Sequence, residues 1–249
     1  MSGRVFLSIV IPAYNEESRL PRSLDQVIDF ASSRTYPVEV IVVNNNSRDR
    51  TRQIAQEFAD RYDFVRVLDQ SIQGKGAAVK VGMLKAVGEY RLIADADLSM
   101  PVWEIPKFLP PSLNNYDIAI GSRELPGSVR IDEPAYRHLM GRVFSTYVKT
   151  IAIPGIEDTQ CGFKCFHQSA AVNIFPLQTV TGFAFDVELL MIALRGGFKV
   201  IEEPIEWHHY TNSKVNPLRD ALRMTREVTR IRANARRGLY DHAGSIIVE

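Results

Sequence analysis

The chain has 249 residues, 45% hydrophobic and 24% charged, with 30 Lys and Arg against 29 Asp and Glu and a formal net charge of +1. This is the composition of a soluble globular protein with enough chain for a substantial core, and it gives no case for nucleic-acid binding. No apolar run approaches the roughly 18–20 residues that a membrane-spanning helix needs.

Met1 to Leu7 runs straight into a strand pattern without a signal-peptide layout, so a cytoplasmic location is expected. Cys161 and Cys165 are then reduced thiols. Four apart and without a second pair, they make a poor zinc site.

The first 120 residues alternate strand and helix signals. Leu7 to Pro12 reads as a β-rich run ended by proline. Arg19 to Ala31 follows with Leu20, Leu24, Val27 and Ile28 near helical spacing. Val38 to Val43 is a second strand, closed by the turn cluster Asn44-Asn45-Asn46-Ser47. A helix carrying Ile54, Ala55, Phe58, Ala59 and Tyr62 precedes a third strand, Phe64 to Leu68. Gly74-Lys75-Gly76 opens a helix to about Val87. Strands at Tyr90 to Ala94 and Asp117 to Gly121 complete this half.

The later half is less regular. Tyr136 to Ile151 reads as a helix. Asp158 to Lys164 reads as a polar turn before a mixed segment. Phe185 to Leu194 reads as an amphipathic helix, Val200 to Trp207 as a late strand, and Leu218 to about Arg237 as a long final helix.

Strand–helix alternation with short turns predicts an α/β fold, a mostly parallel sheet flanked by helices. Ligands then bind beyond the carboxyl ends of the strands. Pro12-Ala13-Tyr14, the asparagine cluster, Asp95-Ala96-Asp97 and Gly121-Ser122-Arg123 all fall at such ends. Asp95 and Asp97, one residue apart on an extended segment, point the same way. A hard divalent cation with substrate phosphates suits such a pair. Gly74-Lys75-Gly76 is not a P-loop, yet a glycine-flanked lysine at a helix start can meet an anion.

Together Ile9 to Glu16, Val40 to Val43 with Ser47, Asp49 and Thr51, Asp95-Ala96-Asp97 and Gly121-Ser122-Arg123 resemble the family 2 inverting glycosyltransferases of GT-A fold. Asp158-Thr159-Gln160-Cys161-Gly162-Phe163-Lys164 and Phe183 to Leu190 resemble the dolichyl-phosphate β-glucosyltransferase branch. The resemblance covers about residues 7 to 240. It implies one catalytic domain over 1–240, with a nucleotide-sugar half (1–122), an acceptor half (123–217), a basic helix (218–240) and a tail (241–249).

The resemblance also implies roles. Pro12, Ala13, Tyr14, Glu16, Asn45, Lys75 and Asp95 would bind the donor nucleotide. Asp95 and Asp97 would hold Mg2+ or Mn2+. Arg123, Arg137, Ser213 and Lys214 would meet the acceptor phosphate, and Asp97, Asp186 and Arg123 would be catalytic. Relatives usually carry an aspartate where this chain has Asn45, which leaves the donor base open. The expected reaction is glucose transfer from UDP-glucose to a polyprenyl or dolichyl phosphate. GDP-mannose as donor, and a non-catalytic nucleotide-sugar or membrane-surface module, are the alternatives. Trp207-His208-His209-Tyr210 reads as the rim of the acceptor site.

In the final helix Arg219, Arg223, Arg226 and Arg230 form a basic stripe, beside an apolar stripe of Met224, Val228, Ile231, Ala235 and Leu239. That is the layout of a helix on an anionic membrane surface, and equally of a helix packed on its own domain. With a lipid-phosphate acceptor, peripheral attachment to a membrane surface is the expectation. Homo-oligomerisation is left open.

Overall fold

The computed structural model describes residues 4–210, 217–241 and 243. Most of the expected 241–249 tail lies outside them. The elements are β1 (Leu7–Ala13), α1 (Leu20–Ser32), β2 (Val38–Asn44), α2 (Thr51–Ala59), β3 (Val65–Asp69), α3 (Lys75–Lys85), β4 (Tyr90–Ile93), β5 (Ile118–Ser122), β6 (Val129–Ile131), α4 (Ala135–Ile151), β7 (Lys164–His167), α5 (Gln168–Ile174), α6 (Phe185–Arg195), β8 (Val200–Pro204), β9 (Glu206–His208) and α7 (Pro217–Arg236). A short 3-10 helix spans Val102–Phe108.

Seven strands form one sheet in the order β3-β2-β1-β4-β7-β5-β8, and β6 pairs with β9 in a separate ribbon. All neighbours in the large sheet are parallel except β7, which is antiparallel to β4 and β5. The α/β, mostly parallel architecture expected from the sequence is therefore present.

Two-residue periodicity divides the central strands between two cores. Val10, Ile41, Val43 and Ile93 face one side, with α3, α6 and α7. Leu7, Ile9, Ile11, Val40 and Val42 face the other, with α1 and α2. Because both faces are covered, β1 and β2 read as nearly unbroken apolar runs. Gly82 lets α3 sit close to the sheet: a Cβ there would come within 3.0 Å of Val43.

Three elements differ from the sequence reading. The mixed segment after Phe163 contains β7, hidden by its four-residue length and by Lys164, which is wholly buried. The late strand is split at Ile205. Pro204 cannot donate to a ladder, so β8 stays in the large sheet and β9 crosses to the ribbon. Helix α6 is not amphipathic, because every residue from Phe185 to Ala193 is buried.

The buried carboxylate of Glu188 explains how α6 tolerates this position. It accepts from Thr179 N (2.9 Å), Thr179 Oγ1 (2.6 Å), Val180 N (2.7 Å) and Tyr240 Oη (2.8 Å). Tyr240 is wholly buried while Leu239, expected on the apolar stripe, is 49% exposed. Val228, Ile231 and Ala235 of α7 join the core against α4 and α6.

Glu188→Gln sets an amide donor against donors, and we expect it to lower the unfolding free energy by about 3 kcal/mol. Tyr240→Phe, which removes one of four bonds, should cost about 1 kcal/mol. Urea denaturation of the two variants checks both values, and equal losses would contradict the assignment.

Candidate active site

Strands β2 and β4 flank β1 and lead away in opposite directions, so the topological switch point lies at their carboxyl ends. A cleft of about 570 Å³ opens there. Its walls include Pro12, Ala13, Tyr14, Glu16, Asn45, Lys75, Asp95, Asp97 and Arg123, all expected from sequence. Arg137 lies on α4 in a stretch whose side chains are not described, and Ser213 and Lys214 lie outside the described residues. Asp186 is not among the cleft-lining residues.

The loops after β1 and β2 are locked to one another. Three successive amides, Asn15 N, Glu16 N and Glu17 N, donate to Ser47 Oγ (3.1 Å), Thr51 Oγ1 (2.6 Å) and Asp49 Oδ2 (3.1 Å). In return Arg48 N and Arg50 N donate to Asn15 Oδ1 (2.8 Å) and Glu17 Oε2 (3.0 Å). Asn15 has φ 54, a left-handed conformation that asparagine tolerates. The Ser47, Asp49 and Thr51 spacing thus fixes the loop bearing Tyr14.

Asn45 is turned inward. Its Nδ2 donates to Gln70 O (3.2 Å) and Ile72 O (2.7 Å), while its Oδ1 accepts from Gly74 N (2.7 Å). Aspartate has no donor for the two carbonyls. The departure at this position is therefore accounted for by the strap it makes to the 70–74 loop, which delivers Gly74 to the start of α3. Gly74 adopts φ 140, a conformation open to glycine.

Each carboxylate of the Asp95–Asp97 pair has a cation of the chain beside it. Lys75 Nζ lies 2.5 Å from Asp95 Oδ1. Arg19 lies 3.5 Å from Asp97 Oδ2 and is itself gripped by Glu16, through bonds of 2.7 and 2.8 Å. Burial works against the charge on Lys75, but Asp95, Asp186 and Asp97 outweigh it and push its pKa up to about 12. Gly162 stands against this pair, with the position of a Cβ only 3.1 Å from Lys75 Nζ.

Arg123 is held by Asp158, which is almost wholly buried. Its Nε and a terminal nitrogen bond the two carboxylate oxygens at 2.7 and 2.9 Å, and its own amide adds a third bond of 3.0 Å. Its guanidinium lies 5.4 Å from the Trp207 ring centroid. Burial would raise the Asp158 carboxyl, but Arg123 overcomes it and takes the pKa from 3.8 to about 2.

Asp186 sits behind the cleft at 5% exposure, with Oδ1 2.5 Å from Lys164 Nζ. Lys164 also donates to Cys161 O. Burial raises the Asp186 pKa against the pull of Lys164 and Lys75. Its place is that of a group supporting the Lys75–Asp95 pair. Cys161 and Cys165 are free, buried thiols, pushed by burial up to about 11 and about 12.

Sequence reasoning passed over Arg19, Gln160, Phe183 and Arg223 as cleft residues, and Asp158 and Lys164 as their supports. The three-residue spacing of Glu16 and Arg19 was an available signal for the first. Arg223, assigned to the basic stripe, lines the cleft and pairs with Glu227 at 3.2 Å.

A mostly parallel sheet, a carboxylate pair at the exit of a central strand and a cation-rich cleft at the switch point define a GT-A-type glycosyltransferase. The chain belongs to glycosyl transferase family 2, whose family model matches residues 8–174. It is 36% identical over 241 residues to the dolichyl-phosphate beta-glucosyltransferase of Homo sapiens, covering 91% of this chain and 74% of that protein. It is 35% identical over 242 residues to one from Trichomonas vaginalis, covering 92% and 73%. Glucosyl-3-phosphoglycerate synthase from Mycobacterium tuberculosis, solved with Mn2+, UDP-glucose and phosphoglyceric acid, shares the fold. The TM-score is 0.69 at 18% identity, covering 94% of this chain and 81% of that one.

The Arg123–Asp158 pair carries an acid-linked prediction. A depressed folded pKa gives stability that is complete above the ordinary aspartate value of 3.8 and is lost as pH falls toward about 2. Asp158→Asn should cost about 3 kcal/mol at neutral pH. The gap between wild type and variant should hold steady down to about pH 5 and shrink below it. Denaturant titrations at a series of pH values measure that gap.

Proposed function

We propose that this glycosyltransferase moves glucose from UDP-glucose to a dolichyl or polyprenyl phosphate, with inversion and with a divalent metal. The observation that carries this reading is the charge of the cleft. Arg19, Lys75, Arg123 and Arg223 line one cleft with Asp95 and Asp97, and each of these cations is held by a carboxylate of the chain. A site that must bring a sugar diphosphate and an acceptor phosphate together needs cations on both sides. The curated relatives supply the acceptor class and the sugar by their names.

Asp95 and Asp97 would hold the metal. Their side chains are 35% and 26% exposed, and an all-oxygen donor pair suits Mg2+ or Mn2+. No cluster of three or more His, Cys, Asp or Glu among the described residues forms a fuller site, so phosphate oxygens and water would supply the remaining ligands. When bound, the metal neutralises charge growing on the departing diphosphate.

The chain's own groups do the rest. Tyr14, beside the locked loop, offers a face for the base. Lys75 stands ready for phosphate oxygens once Asp95 has another cation to satisfy, while Arg19 stays gripped by Glu16 at the edge of the cleft. Arg123, fixed by Asp158, orients the acceptor phosphate together with Arg223, which lines the same cleft. An acceptor phosphate oxygen forms the bond to the anomeric carbon as the bond to the donor diphosphate breaks. A phosphate monoester is already an oxyanion near neutral pH. No side-chain base is required, in keeping with an Asp186 committed to Lys164.

A donor screen with one polyprenyl phosphate, read by mass, separates UDP-glucose from GDP-mannose. Asp97→Ala should lower transfer at least about a thousandfold while the protein stays folded. Mn2+ titration, read by paramagnetic resonance, should show at least about tenfold tighter binding with UDP than without it. Undiminished turnover in Asp97→Ala would reject the metal role.

Peripheral attachment to the cytoplasmic face of a membrane is part of the proposal. No described helix is long and apolar enough to cross a membrane, and the apolar side of α7 is used in the core. Attachment would rest on exposed Arg226, Arg230, Arg236 and Arg237. Flotation with anionic liposomes should be lost as salt is raised, and flotation with neutral liposomes should be absent.

A further inference from the structure

A second cavity, a groove of about 750 Å³, lies between α1 and the 3-10 helix Val102–Phe108. Nothing in the transfer chemistry uses it. Phe30, Leu98, Val102 and Pro106 give it apolar walls. Trp103 and Tyr210 also line it, 58% and 42% exposed. Charge is confined to the α1 edge, where Arg22, Asp29 and Arg34 stand.

The groove and the catalytic cleft share two segments of chain. Asp97 and Ser99 line the cleft, whereas Leu98 between them lines the groove. Trp207 lines the cleft, whereas His208 lines the groove. A backbone bond from His208 N to Ser99 O, 2.7 Å, joins the two segments and forms the partition. Leu98 has φ 47, a left-handed conformation that costs a leucine about 1–2 kcal/mol. Strain of this kind persists where surrounding structure imposes it, and it clusters at functional sites. Here it accompanies an apolar side chain placed in the groove directly after the carboxylate of the cleft.

Resting on the reading that the acceptor is a lipid phosphate, we propose that this groove holds the first isoprene units of the acceptor chain. The phosphate then sits in the cleft and the chain passes the Leu98–His208 partition. The volume falls within the usual range for ligand pockets. The apolar walls suit a hydrocarbon, and a soluble phosphate acceptor would have no use for them.

The chain has two tryptophans, and each reports on one cavity. In Trp207→Phe the emission is that of Trp103 alone. Undecaprenyl phosphate should shift that emission to the blue, and inorganic phosphate should leave it in place. Val102→Asp should raise KM for undecaprenyl phosphate at least about tenfold with kcat retained, and leave transfer to butyl phosphate unchanged. Trp103 emission unmoved by undecaprenyl phosphate would overturn the proposal. So would equal losses for both acceptors, or the same shift from phosphatidylcholine vesicles without polyprenyl phosphate. The emission needs no turnover, so the two readings fail separately. A responsive Trp103 in Trp207→Phe, beside a wild-type protein that transfers no sugar to undecaprenyl phosphate, sinks the transfer reading. Transfer beside a silent Trp103 sinks the groove.

Discussion

The contact between Lys75 and Asp95 is the constraint around which the site is built. In the proposed reaction a carboxylate pair that holds a divalent cation must stand charged in a cleft that also receives anions. Lys75 supplies the counter-charge from the first residue of α3, and several unrelated segments are arranged around it. Asn45 straps the loop that delivers Gly74 to the start of that helix. Gly162 leaves room where a side chain would press on both partners. Asp186 adds negative charge from behind while bonded to Lys164. Arg19, gripped by Glu16, stands beside Asp97 as the second counter-ion.

On the proposed reading, cations of the chain stand where a metal's charge would be needed. A pair held by internal partners keeps its geometry without a ligand, which limits the reorganisation needed when the ligand arrives. On the proposed reading, a metal held by Asp95 and Asp97 would take over the charge of Asp95 and leave Lys75 for phosphate oxygens.

Much of the fold was legible because parallel strands buried on both faces write themselves as apolar runs, and β1, β2, β4 and β5 lie within a residue or two of where the sequence sets them. The strand-end residues were legible for the same reason: polar groups directly after such runs have few other places to go. What stayed hidden were partners distant in sequence. Nothing near Arg123 announces Asp158, and nothing near Glu188 announces Tyr240. The antiparallel β7 was obscured by a buried lysine whose counter-ion lies on α6. The basic stripe of α7 showed the converse problem. Its spacing was right, yet Arg223 turns to the cleft and the apolar side belongs to the core.

The break at Pro204 has a mechanical meaning. One run of chain begins in the large sheet and ends in the β6–β9 ribbon, so Trp207 is carried by a two-stranded unit with its own registry. Ala13, Asn45 and Asp95 stand at strand ends of the seven-stranded sheet, whereas Trp207 rides on that ribbon and on the His208–Ser99 bond. Residues of one cleft thus belong to two separate hydrogen-bonded units. A change in the ribbon's register would therefore move Trp207 and leave the strand-end residues in place.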